Sequence, residues 1–154
     1  MYQTILVPLD GSKRAEAILD HVEDIAIGDR VKIFFLNVEE EPIMLERDEV
    51  IDIKKYHKAF VKQIAFSQEY LDDLQDRFNE KGIDADTKLA YGSVVKAILN
   101  AAAETDADLI AMATHGLSGL ARVSYGSVAA GVLQAADIPI LLIRSGSDKK
   151  EETC

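Results

Sequence analysis

Tryptophan is absent from this 154-residue chain, and cysteine occurs once, as Cys154 at the last position. A single thiol excludes an intramolecular disulfide and a cysteine-based zinc site, and it fits a reducing compartment. The three histidines, His21, His57 and His115, show no metal-ligand spacing. No nucleophile is matched with a base. Basic residues are few: 17 Lys and Arg stand against 27 Asp and Glu, a formal charge of -10. A domain this acidic is a poor match for nucleic-acid phosphates or an anionic membrane surface. No apolar run approaches the roughly 20 residues that a membrane helix needs. The chain enters "YQTILVPLD" without a charged, apolar leader. A cytoplasmic protein is expected, with no nucleic-acid partner and no membrane insertion.

What is present is a substantial core. Hydrophobic residues make up 48% of the chain, and its length suggests one domain over residues 1–145. The polar stretch 146–154 reads as a tail. "TILVPL" (4–9) and "VKIFFLNV" (31–38) are short, dense apolar runs, as expected of strands buried on both faces. "ADLIAMAT" (107–114) and "IPILLIR" (138–144) read the same way, and "IDADTKLA" (83–90) alternates. Between them lie segments of helical period. Ala15, Ile18, Leu19, Val22, Ile25 and Ala26 form one apolar stripe behind the cap Ser12. Phe60, Ile64, Leu71, Leu74 and Phe78 form another, on a helix over about 48–81. A third helix uses Val94, Ile98, Leu99 and Ala102, and a fourth starts near Ser127. The acidic stretch from Glu39 onward reads as a surface connection.

Strict alternation of strand and helix implies a parallel sheet covered on both faces, with right-handed crossovers. The predicted fold is α/β, an open five-stranded parallel sheet of order 3-2-1-4-5. In that order the first and fourth strands are neighbours at the point where the winding reverses. Ligands bind there, at the carboxyl ends of the strands. Those two strand ends carry the most turn-rich junctions in the chain, "PLDGS" (8–12) and "MATHG" (112–116). Gly116 and Gly119 allow close backbone approach to a ligand. Gly126-Ser127-Val128 opens a helix whose free N–H groups favour a phosphate, with Ser127 as a natural cap. Asp10 suits a ribose hydroxyl or a water-mediated Mg²⁺. No lysine lies between 113 and 132, so charge neutralisation would fall to the helix, a metal and Arg122. Each feature taken alone is also ordinary turn or capping chemistry. His115 alone is a loop residue before it is a catalyst.

Together these residues resemble the universal stress protein family. Its nucleotide signature runs Gly, two residues, Gly, nine residues, then Gly and Ser or Thr. Gly116, residues 117–125, Gly126 and Ser127 match its later elements, and "ILVPLDGS" resembles its first strand. The likeness extends over roughly 2–145. One departure stands out: Ala113 occupies the place of the first glycine. The resemblance implies a Rossmann-like fold, adenine nucleotide alpha hydrolase-like, that binds ATP or another adenine nucleotide with Mg²⁺. Carried over residue by residue, Pro8, Leu9 and Asp10 form the first-strand tip, and Val38 lines the adenine pocket. Met112, Ala113, His115 and Gly116 border base, ribose and phosphates; Gly126, Ser127 and Val128 hold the phosphates. The resemblance further implies a homodimer through 138–144, whose apolar edge would otherwise be exposed. A stress or signalling module is expected. The alternatives are a dimeric interaction protein with no nucleotide, and a slow ATPase without an efficient general base.

Overall fold

The structure is a computed structural model, and it describes residues 2–40, 53–115 and 126–145. The elements follow in the order β1 (Thr4–Leu9), α1 (Lys13–Glu16), α2 (Ile18–Ala26), β2 (Lys32–Glu39) and α3 (Ile53–Glu80). Then come β3 (Asp84–Tyr91), α4 (Val94–Glu104), β4 (Leu109–His115), α5 (Ser127–Ala135) and β5 (Ile140–Ser145). All strand pairs are parallel, and the sheet order is β3-β2-β1-β4-β5.

Strand alternation divides the core into two layers. Ile5, Val7, Ile33, Phe35, Leu109 and Ala111 face α2 and α3, where Phe35 meets Phe78 edge to face at 4.9 Å between centroids. Leu6, Leu36, Ile110 and Met112 face α4 and α5, against Ile98, Ala101 and Val132. The central strands are apolar on both faces because helices cover both.

Local chemistry sets the element ends. Ser12 caps α1, its hydroxyl accepting the Ala15 N–H at 3.2 Å. The first helix, expected to be continuous to Ala26, is broken at Ala17, whose N–H bonds back to Arg14 and Ala15 oxygens. Gly28 ends α2 with φ +86°. β4 and β5 begin two residues later than expected, because Asp108 turns its carboxylate to the Gln3 and Thr4 N–H groups and Pro139 has no N–H to pair. β3 is shifted by one residue at each end. β2 is shifted likewise, running to Glu39 rather than stopping at Val38.

One detail of register opens the sheet. β1 pairs with β2 along its whole length, from Thr4↔Lys32 to Leu9↔Asn37. With β4 it pairs only at Ile5↔Leu109 and Leu6↔Ile110. β4 continues beside β5 to His115↔Ser145. The two middle strands therefore part company toward their carboxyl ends. Pro8 sits in the parted section. In the β1–β2 ladder, Lys32 N–H donates to Gln3, so alternation gives β2 the N–H groups of Ile5, Val7 and Leu9. The missing N–H of Pro8 falls on the β4 side, where no ladder remains to need it.

Candidate functional site

The parting of β1 from β4 leaves a cleft of about 870 Å³ at the carboxyl edge of the sheet. That is within the usual size range of small-molecule sites, about 300–1,000 Å³. Pro8, Leu9 and Asp10 form one lip, and Met112 and Ala113 the other. Val38 contributes from β2, and Gly126, Ser127 and Val128 from the start of α5. The structure thus gathers these nine sequence-selected residues around one space. The His115 backbone ends β4, while its side chain, Gly116, Gly119 and Arg122 lie outside the described residues. The same holds for 41–52 of the acidic stretch and for the 146–154 tail. His21 and His57 are exposed on helices away from the cleft.

The start of α5 differs from expectation in one respect. Gly126, not Ser127, is the cap, and no side chain fills it. Ser127 is the first helical residue, because Gly126 takes φ +69° and ψ 154°, a conformation open in practice to glycine alone. The first intrahelical bond runs from Ala130 N–H to the Gly126 oxygen at 3.1 Å. The N–H groups of Ser127, Val128 and Ala129 therefore have no intrahelical acceptor, and the positive end of the helix dipole faces the cleft.

Asp10 is exposed at the tip of β1 and held in place by its own turn, one carboxylate oxygen accepting the Ser12 N–H at 2.8 Å. Ala113, where the signature has glycine, packs its methyl against the α2–α3 core layer. Among the described lining residues every formal charge is negative: Asp10, Glu39 and Glu40. No described group of three or more His, Cys, Asp or Glu residues could hold a metal by itself.

Several lining residues were missed by sequence reasoning. Glu39 was expected on the surface, yet it is 4% exposed. Its carboxylate accepts from the Ser67 hydroxyl and from the Gln63 amide at 2.6 Å, both on α3. Tyr70 donates to Glu16 at 2.8 Å. Burial first, then that carboxylate, push the Tyr70 hydroxyl well above its ordinary pKa, so it keeps its proton. Asn37 and Phe66 also line this α3 side. Helical period marks only which face of α3 turns inward; nothing in it tells that Ser67 meets a carboxylate from β2. Among the described residues no helix is long and apolar enough to cross a membrane.

The model of the universal stress protein family matches residues 1–144. A curated relative, universal stress protein YxiE of Bacillus subtilis, is 28% identical over 149 residues, covering 94% of this chain and 100% of its own length. Among solved structures, the hypothetical protein MJ0577 superimposes with a TM-score of 0.80 at 22% identity, covering 96% and 99% of the two chains. That likeness concerns the fold. A universal stress protein solved in complex with cAMP matches with a TM-score of 0.65 at 25% identity, over 94% and 98%.

Proposed function

The chain belongs to the universal stress protein family, and from that premise we propose that it is a stress-response or signalling module that binds ATP in the cleft between β1 and β4. The observation that carries this reading is the uncapped start of α5, which turns unused N–H groups toward a cleft that β1 and β4 leave open. Support also comes from the relative that holds cAMP, since ATP and cAMP share adenine and ribose.

The roles divide as follows. Pro8, Val38 and Met112 supply the apolar walls of the base and sugar. Asp10 reaches a ribose hydroxyl or, through water, Mg²⁺. Ser127, Val128 and Ala129 take the phosphates through backbone N–H groups, with Gly126 permitting the approach; the family signature adds His115, Gly116 and Gly119 to the residues that serve the nucleotide. One exposed carboxylate fits Mg²⁺, which keeps most of its waters and leans on substrate phosphates. Bound there, the ion would offset the negative charge of triphosphate beside Asp10, Glu39 and Glu40. Ala113 is compatible with binding because its methyl is already taken up in the α2–α3 layer.

The protein acts as a single domain over 1–145 and as a cytoplasmic homodimer joined through 138–144. β5 is an edge strand of the described sheet, and Leu141, Leu142 and Ile143 leave it half-buried and apolar. A second reading, a dimeric interaction protein without nucleotide, is favoured by Ala113 and by the lack of a cation among the described lining residues. Calorimetric titration with ATP and Mg²⁺, and with cAMP, decides between them, and phosphate release under saturation tests for slow hydrolysis. Saturable heat with ATP is expected; no heat with either nucleotide would leave the interaction protein.

A further inference from the structure

The cleft has a second wall that the phosphate argument does not use. Asn37 and Glu39 stand two residues apart on β2, so their side chains project to the same face of the sheet, toward α3. Glu39 is already engaged by Ser67 and Gln63. Asn37 is different. It is 7% exposed and lines the cleft, yet no hydrogen bond joins its carboxamide to another described residue. Its polar atoms are not sealed in the core; what remains open to them is the cleft.

A carboxamide offers an acceptor and two donors, and at Asn37 these are open to the cleft rather than spent on the protein. Such a group at the wall of a ligand cleft calls for a ligand with donor and acceptor side by side. Resting on the nucleotide reading of this cleft, we infer that Asn37 selects the base, pairing its carboxamide with the amino group and an adjacent ring nitrogen of adenine. Adenine presents that pair, and asparagine matches it with two hydrogen bonds. An amide can turn over, so Asn37 alone would also accept the carbonyl and N–H of hypoxanthine. Glu39 breaks the tie. It lies about 7 Å along the same strand face, where its carboxylate repels a carbonyl oxygen and accepts from an amino group. Leu9, the register partner of Asn37, and the Tyr70 ring wall the purine on the α3 side of the cleft, opposite Pro8, Val38 and Met112 on the α4–α5 side.

The test is calorimetric titration of the full chain with ATP and with ITP, each with Mg²⁺. It is repeated on Asn37→Ala and on Asn37→Leu, which keeps the wall filled. Thermal unfolding of each variant is followed in parallel. The native protein is expected to prefer ATP. Both variants should bind ATP about 5- to 150-fold more weakly, the loss of one bidentate base contact, and approach the ITP affinity. Asn37→Leu should unfold close to the native temperature, since its side chain makes no hydrogen bond to another described residue that the substitution could remove. Equal affinity of the native protein for ATP and ITP, or an unchanged preference in both variants, overturns the inference. A native protein that binds neither nucleotide overturns the reading of the cleft itself, and this inference falls with it.

Discussion

Replacing Ser127 with glutamate puts a carboxylate on the first residue of α5, at the mouth of the cleft. Ser127 is exposed and caps nothing, so the new side chain has room and no existing hydrogen bond is lost. Two consequences follow with opposite signs. A negative charge in the first turn of a helix is favourable, by about 0.3–1 kcal/mol. In a chain of 154 residues that raises the unfolding midpoint by about 1–4 °C. A phosphate bound by the N–H groups of Ser127, Val128 and Ala129 would meet the same carboxylate at close range. Two unit charges about 4 Å apart repel by about 4 kcal/mol at the effective dielectric of a protein surface, which is roughly a thousandfold in affinity. Ser127→Gln, of equal size and no charge, isolates the electrostatic part. The assays are calorimetric titration with ATP and Mg²⁺, and thermal unfolding without nucleotide. A more stable protein that no longer binds is the expected result. Unchanged affinity in Ser127→Glu would refute the placement of phosphate at α5.

Three other outcomes are expected. Gly126→Ala forces a side chain into φ +69°, ψ 154° and should cost about 1–3 kcal/mol, seen as a lower denaturation midpoint or as weaker ATP binding; no change in either would contradict the strained cap. Gly131→Ala places a Cβ 2.8 Å from Val95 Cγ2, and because valine is stiff at χ1 the α4–α5 contact should lose about 1–3 kcal/mol, partly recovered in the double variant with Val95→Ala. Leu142→Pro tests the edge strand. Ile110 N–H donates to Pro139 at 3.0 Å, so alternation gives β4 the N–H groups of Leu141 and Ile143 and leaves that of Leu142 facing outward. Removing it should convert a dimer to monomer by light scattering while circular dichroism stays native, and a persisting dimer would count against pairing through β5.

The sheet order was legible because four strands are short apolar runs, the remaining one, β3, alternates, and every crossover is helical. The cleft lips were legible because turn chemistry clusters at "PLDGS" and "MATHG", and the order β1-β4 sets those two ends side by side. The α3 wall was not. Glu39 stands in a run of three glutamates, and local composition reads such a run as solvated. Its burial depends on Ser67 and Gln63, 28 and 24 residues away, which no periodicity links to it. Asn37 reads as a polar residue near a strand end, and its lack of a partner is visible only once the fold surrounds it. The exchange of cap between Ser127 and Gly126 was equally hidden. Composition favours serine at a cap, and the backbone conformation at Gly126 decided otherwise.

The central claim, that the β1–β4 cleft holds an adenine nucleotide, is met most directly by the protein as purified. The full chain, prepared without added nucleotide, is denatured, and the small molecules released are identified by mass spectrometry; the intact protein is then titrated with ATP and Mg²⁺. A released adenine nucleotide, or saturable binding of added ATP, is predicted. No released nucleotide together with no titration would contradict the account.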